Sequence, residues 1–333
     1  MNNKPLPSHF PVKPLALFIP MASLAILSSA ASAQPLGPDA SIVGGTYSSV
    51  FINNTYSSVT VANTGTITPT SGTALTIAGN ATLSGGIANA GLIVGGTGTA
   101  DMSLADGASV ASITNTGTIG ALGGPDEGIR LNGAVVVTGA INNSGLIDGS
   151  IAAFSSSSSI SGVNIKHTPI IGSVANSGTI KGLSFEGANV GAITNASGGL
   201  INDNSSSTGI GSYSGAIIQS ITNNGSIDVR GDGSNPFAGT GIFIRDEAQV
   251  GAIVNNGTIF AGDSYTNLVG IGIELDNATV GSITNNGLID VSSSVSLGKG
   301  GASRGQGIIV GFASEVDSIS NTGTINANGG FSS

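Results

Sequence analysis

Aliphatic residues return along this chain in one short frame, I-x-N-x-G-x-I, with polar or small residues between them. The frame occurs at Val61–Ile67, Ile87–Ile93, Ile113–Ile119, Ile141–Ile147, Val174–Ile180, Ile221–Ile227, Ile253–Ile259, Ile283–Ile289 and Ile319–Ile325. A tenth copy, Ile193–Ile201, carries additional residues around Ser197-Gly198-Gly199. Its asparagines are Asn63, Asn89, Asn115, Asn143, Asn176, Asn195, Asn223, Asn255, Asn285 and Asn321, between 19 and 36 residues apart. A fixed motif with variable filler is the mark of a solenoid, whose insertions bulge outward while stacked strands keep register.

Alternation assigns a face to each position. Residues two apart on a strand share a side, so the flanking isoleucines point inward and stack into an apolar column. Asn beside Gly predicts a tight bend in left-handed backbone geometry. Aligned amides can also bond to one another from coil to coil, which predicts a structural ladder of the ten asparagines. Several copies extend upstream to A-x-V-x-x-I-x-N-x-G-x-I, as at Ala108/Val110/Ile113 and Ala248/Val250/Ile253. Further upstream lies G-I-x-[IL], as at Gly128–Leu131, Gly241–Ile244 and Gly270–Ile273. About three short strands per unit predict an all-β, right-handed parallel β-helix of about ten coils. At roughly 4.8 Å per coil the rod would be about 48 Å long.

The remaining sequence divides the chain. Residues 1–33 read as a signal peptide: Lys4 and Lys13, an apolar run from Leu15 to Leu27, and Ala31-Ser32-Ala33 as a cleavage site. Residues 34–58 are expected to cap the first coil, and 59–333 to form the array, regular from Val59 to Ile325. Connections are expected to swell at Gly120–Glu127, Ser155–Ser159, Asn202–Ser214, Gly231–Thr240, Ala261–Asn267 and Ser292–Arg304, which are rich in Ser, Gly, Asn and Pro.

Composition narrows the chemistry. The 333 residues include 54 Gly, no Cys and no Trp; 39% are hydrophobic and 8% charged. Without Cys there are no disulfides and no thiolate metal sites, and no cofactor is read from the sequence. The formal charge of −9 becomes −11 once Lys4 and Lys13 leave with the signal. Such an acidic chain is a poor nucleic-acid partner; the charge suits the solubility of an exposed rod.

The signal and the I-T-N-N-G-x-I-type repeats resemble the passenger region of bacterial autotransporters and related β-helical surface adhesins. The resemblance implies an exported, non-enzymatic protein of the cell surface or medium of a Gram-negative-type bacterium, acting as an adhesin or structural spacer. Its partners would be a host-cell or surface ligand and an outer-membrane translocation barrel, should the gene encode one. The family's barrel strands, about ten residues each with alternating apolar character, are not found in this chain.

Two other function classes stand beside this one. β-Helices also carry polysaccharide lyases and glycosidases, so acidic groups are candidates: Asp126-Glu127 with Arg130, Arg245-Asp246-Glu247, Glu274 with Asp276, and Glu315 with Asp317. Two carboxylates about 5–9.5 Å apart could cleave a glycosidic bond; isolated solvated corners are the plainer alternative. Asp148, Asp228 and Asp290 share the place after the motif's last Ile, never in neighbouring copies, which avoids stacked like charges and argues against a calcium ladder. His167, the only His outside the signal, has no nucleophile elbow near it. Arg230-Gly231-Asp232 lies in a loop-like stretch and resembles the RGD signal read by integrins; coincidence accounts for a tripeptide as readily. Thr-Gly-Thr at Thr64–Thr66, Thr97–Thr99, Thr116–Thr118 and Thr322–Thr324 suggests an ice-binding solenoid, but Leu146, Ser226 and Leu288 interrupt the row.

Overall fold

The computed structural model describes residues 40–42, 45–120, 127–160, 163–202, 208–231, 239–263, 270–292 and 305–328. The expected signal at 1–33 lies outside them. Everything described is strand or connection: a 14-stranded sheet, a 19-stranded sheet and one two-stranded hairpin. All pairings in the two large sheets are parallel, each strand bonding to its counterpart one coil earlier and one coil later. The chain is a parallel β-helix.

Each coil contributes four short strand segments rather than three. In one coil they are Ser109–Val110, Ile113–Asn115, Thr118–Ile119 and Glu127–Asn132. The first two belong to the 14-stranded sheet and the last two to the 19-stranded sheet. Where the connection is short, neighbours fuse into one strand, as in Val136–Asn143 and Leu146–Phe154. Eleven strands stack in sequence order, from Ala40–Ile42 to Glu315–Asn321, and the last nine carry the motif's asparagine. The region expected to be a cap is therefore a coil already: Ala40–Ile42 pairs with Val59–Val61, and Val50–Ile52 with Leu75–Ile77. Thr208–Tyr213, expected within a connection, is a strand, because Ile210 takes the G-I-x-[IL] isoleucine slot between Leu183 and Ile242.

Periodicity two sets the core. The motif's last isoleucine, from Ile67 through Ile93, Ile119, Ile147 and Ile180 to Ile289, is 0% exposed in every coil named. Its partner column (Val59, Ile87, Ile113, Ile141, Val174, Ile193, Ile221, Ile253, Ile283) is buried as well. At roughly 1.5–3 kcal/mol per fully buried aliphatic side chain, these columns are the main favourable contribution to folding. Among the described residues no strand stacks beyond Glu315–Asn321, and there Ile319 is 51% exposed.

The asparagine ladder runs through nine side chains. Each Nδ2 donates to the Oδ1 one coil later: Asn89 to Asn115 at 2.7 Å, Asn115 to Asn143 at 2.8 Å, Asn143 to Asn176 at 2.9 Å and Asn176 to Asn195 at 2.8 Å. It continues through Asn223, Asn255 and Asn285 to Asn321 at 2.7–2.9 Å. A second donation reaches a carbonyl of the next coil, such as Thr258 O from Asn223 at 3.0 Å. These amides are buried except Asn321 at the end, and a buried amide is tolerated because both of its ends are bonded.

Two sequence expectations need correction here. Asn63 is not in the ladder. Val61 pairs with Asn89, so Val61 fills the slot and Asn63 sits exposed in a turn two residues longer than usual. The first match was a two-residue slip, which strand alternation leaves undetected because inward positions stay inward. The longer turn recurs after Asn195, where Gly199 N–H bonds to Ala196 O just as Gly65 N–H bonds to Ala62 O.

The second correction concerns the motif's glycine. Gly91, Gly117, Gly145, Gly178, Gly225, Gly257, Gly287 and Gly323 do not adopt positive φ. Glycine is required by proximity: a Cβ at Gly257 would run into Gly225 O, one at Gly287 into Gly257 O, and so along the column. The turns stack backbone on backbone.

Candidate functional site

The register fixes where the chain can vary. From the inward residue of the first segment to the isoleucine of the second, two or three residues intervene in every coil, as between Val250 and Ile253. Between the third and fourth segments the length ranges widely: two residues separate Ile180 from Leu183, and eighteen separate Ile289 from Ile308. Nearly all the irregular spacing of the repeats is spent on this one line along the rod. The exception is the antiparallel hairpin Ser156–Ile160/Val163–His167, inserted between a fourth segment and the next first segment.

Charge collects beside the same line. The position after the motif's last isoleucine holds Asp148, Lys181, Asn202, Asp228, Phe260, Asp290 and Asn326 on successive coils, partly exposed on all but the first, where Asp148 is buried. The three aspartates are indeed separated, Asp148 by Lys181 and Asp228 from Asp290 by Phe260. Lys181 Nζ lies 2.8 Å from Asp148 Oδ1. Asp228 takes two bonds from Arg230, Nε to Oδ1 at 2.9 Å and Nη2 to Oδ2 at 2.6 Å. The Arg230 guanidinium also stacks on Phe260, 4.3 Å from the ring centre.

That geometry bears on the RGD tripeptide. Arg230 and Gly231 end the strand Ser226–Gly231 rather than lying on a loop, and the arginine is committed to Asp228 and Phe260. Asp232 lies outside the described residues.

The other candidates fall into separate places. Glu127 forms an ion pair with Arg130, while Asp126 lies outside the described residues. Arg245 Nε pairs with Asp246 Oδ2 at 3.1 Å, and its guanidinium lies over Tyr213 and Phe243 at 4.9 and 5.2 Å. Asp246 and Glu247 make the following turn, both in left-handed geometry at φ 55° and 66°. Glu274 and Asp276 share the outward side of one strand, with Arg245 paired opposite Asp276. Burial raises Glu274 above the usual carboxylate range, Asp276 adds to the rise, and bonds from Thr240 and the Arg245 charge oppose it. Glu315 and Asp317 lie on the last motif strand. His167, at the foot of the hairpin, has Nδ1 2.9 Å from Asp106 Oδ1, which also accepts Ala134 N–H at 2.6 Å. These two contacts, the backbone bond first, hold Asp106 below the usual range.

The sequence reading missed one convergence. Asp101, fully buried, stands where other coils have the glycine of G-I-x-[IL], since Met102 pairs with Ile129; that mismatch was the available signal. Its Oδ1 accepts Gly95 N–H and its Oδ2 has no bond. Gly120, at φ 97°, lies between Asp101 Oδ2 and Asp148 O. Asp148 is itself buried, its Oδ1 on Lys181 and its Oδ2 without a partner. Lys181 pairs with Asp148 and acts on Asp101 through its charge. Burial pushes Asp101 up to about 7; Gly95 N–H works against the rise, Asp148 adds to it and Lys181 opposes it.

The sign follows. An unfolded Asp101 ionises near its ordinary 3.8, whereas the folded group keeps its proton to about 7. Its contribution to stability is intact below pH 4 and is lost as pH climbs through 7. Asp101→Asn keeps the Gly95 bond and removes the ionisation. Urea midpoints of variant and wild type should coincide near pH 4 and separate in the variant's favour by pH 8; parallel curves would refute the assignment.

No family model, curated protein or solved structure matches the chain. A functional reading therefore rests on the rod itself: where it is uniform, where it varies and where its charge lies. Among the described residues no helix is long and apolar enough to cross a membrane, and no group of three or more His, Cys, Asp or Glu could hold a metal ion.

Proposed function

We propose that the chain is an exported surface or secreted protein, similar to an autotransporter passenger, acting as a non-enzymatic adhesin or spacer. The observation that carries this reading is the confinement of length variation to one line of a uniform rod. A continuous ladder and core hold the coils in register while the connections along one edge vary from two to eighteen residues. That division suits a protein that works by holding varied segments away from a surface, because binding segments on a rigid support diversify without disturbing the core. The leader-like residues 1–33 supply the route out of the cell.

Fractionation of a Gram-negative host producing the full chain tests it. The expected product begins at Gln34, is found outside the outer membrane or in the medium, and is labelled by antibody on intact cells. Recovery of unprocessed chain in the cytoplasm would overturn the reading. The rival reading, a β-helical carbohydrate-active enzyme, draws on the meeting of Asp101, Asp148 and Lys181. Both carboxyls are closed off from solvent, whereas hydrolysis needs a carboxylate in contact with water and sugar. Release of reducing sugar that disappears in Asp148→Asn would favour the rival.

A further inference from the structure

The chain is acidic, yet nine successive coils of one face carry no charged side chain. Across the 14-stranded sheet and its turn, the stretches 55–66, 82–92, 109–118, 136–146, 170–179, 189–200, 217–226, 249–258 and 279–288 contain no Asp, Glu, Lys, Arg or His. Only the last coil breaks the pattern, with Glu315 and Asp317. The outward row of the first segment holds Ile170, Asn189, Ile217, Gln249 and Thr279, with Ile170 and Ile217 48% and 46% exposed. Another outward row holds small hydroxyl, amide and methyl groups, Thr114, Asn142, Ala175, Thr194, Thr222, Val254 and Thr284. The neighbouring row ends in a second, exposed amide ladder. Asn256 Nδ2 donates to Asn224 Oδ1 at 2.9 Å, Asn286 Nδ2 to Asn256 Oδ1 at 2.8 Å, and Thr322 Oγ1 to Asn286 Oδ1 at 2.8 Å. Each amide so used keeps one N–H and one lone pair for another partner.

The face is even as well as neutral. Its coils stay in register and its connections are short, so nothing long is inserted within it. Nine coils at roughly 4.8 Å and strands of about seven residues give a surface of about 40 by 20 Å. Midway lies a shallow hollow of about 140 Å³, lined by Thr114, Asn142, Ser144, Ala175, Ser177 and Thr194. It opens where alanine succeeds asparagine in the outward row, and it is smaller than the roughly 300–1,000 Å³ of an enclosing ligand pocket, so a partner would lie along the face rather than inside it.

The geometry points to this face as a binding surface for a neutral polysaccharide. Lacking charge, it gains nothing from an ionised partner, and the acidic line on the other sheet is kept clear of it. Alternating hydroxyls, amides and methyls suit a pyranose chain, whose hydroxyls line its edges and whose C–H groups cover its faces. A protein partner would be expected to meet aromatic or arginine anchors, and the outward positions of these stretches have none. An ice lattice would call for one side chain repeated from coil to coil, whereas Thr, Asn, Ala and Val alternate. The inference does not depend on how the chain leaves the cell.

Co-sedimentation of the full chain with microcrystalline cellulose, with chitin and with polygalacturonate tests it. Retention on a neutral polymer is expected, unchanged between 50 and 500 mM NaCl, with none on polygalacturonate. Ala175→Glu and the more exposed Ser177→Glu should each weaken retention at least tenfold with an unaltered circular-dichroism spectrum. Asp228→Asn and Glu274→Gln, on the other sheet, should leave it unchanged. Failure to bind either neutral polymer overturns the inference. So does salt-sensitive binding abolished by Asp228→Asn, thermal hysteresis without polymer retention, or a dimer that Ser177→Glu dissolves. Export of a chain that binds no glycan would leave the surface reading standing and this one refuted.

Discussion

Asn223→Ala should destabilise the protein by about 3–5 kcal/mol, while Asn256→Ala should cost about 0.5 kcal/mol or less. Both asparagines stand in ladders, one inside and one outside the rod. Asn223 is 0% exposed, accepts from Asn195 at 2.9 Å and donates to Asn255 Oδ1 and Thr258 O at 2.8 and 3.0 Å. Alanine leaves Asn255 Oδ1 and Thr258 O without those donors in a space water does not reach. Each orphaned buried group costs about 1–3 kcal/mol, and the space vacated by the amide adds to that. Asn195 is less harmed, because its Nδ2 still reaches Gly199 O and Ser226 O at 3.1 Å. Asn256 makes its bonds at the surface, where water substitutes for a lost partner. A double variant, Asn223→Ala with Asn255→Ala, should cost less than the two singles together, since the second change removes an oxygen the first had stranded. Urea denaturation and hydrogen exchange in the affected coils measure all three; equal effects from Asn223→Ala and Asn256→Ala would show that the inner ladder carries no special weight.

The ladder also marks how far the sequence could be read. Repetition and alternation together specify the parallel stack, because an Ile two residues from an Asn has one inward side and one neighbour above and below. The same alternation concealed the slip at Asn63: a shift of two keeps every side chain on its correct face, so only the pairing of Val61 with Asn89 distinguishes the two registers. Four strands per coil, not three, were hidden for a related reason, since segments of two or three residues such as Ser109–Val110 carry almost no period of their own.

Charge was harder. Carboxylates grouped by nearness in sequence, such as Asp246 and Glu247, turned out to share a turn, whereas Asp101, Asp148 and Lys181 meet from three coils and are 33 to 80 residues apart. No short-range rule brings them together. What could be seen was a local misfit, an Asp in a glycine slot. The uncharged face had the opposite character. Every residue of it was on the page, but its meaning needed the register, because an absence of charge becomes a surface only once nine separate stretches are laid side by side.

The motif's glycine supplies the other large effect. Gly257→Ala should destabilise by about 3 kcal/mol, near the upper end for forced overpacking, whereas Gly198→Ala should cost about 1 kcal/mol. The two sites separate two reasons for glycine. Gly198 sits at φ 85° with open space around it, so an added methyl meets only the backbone preference against left-handed angles. Gly257 has ordinary φ, and there alanine would gain a few tenths to 1 kcal/mol from a less mobile unfolded chain if the turn had room. It has none: the methyl would overlap Gly225 O and crowd the Asn224 carbonyl carbon and Gly225 N, all main-chain atoms of the coil below. Main chain cannot rotate aside as a side chain can, so the turn must lift. Lifting it strains the Asn223–Asn255 and Asn255–Asn285 bonds on either side, and the damage should therefore reach the ladder. Reduced amide protection at Asn255 and Asn285 in Gly257→Ala, with none in Gly198→Ala, is the expected exchange pattern. A Gly257→Ala protein as stable as wild type would mean that the coils are spaced more loosely at this turn than the stacked glycines require.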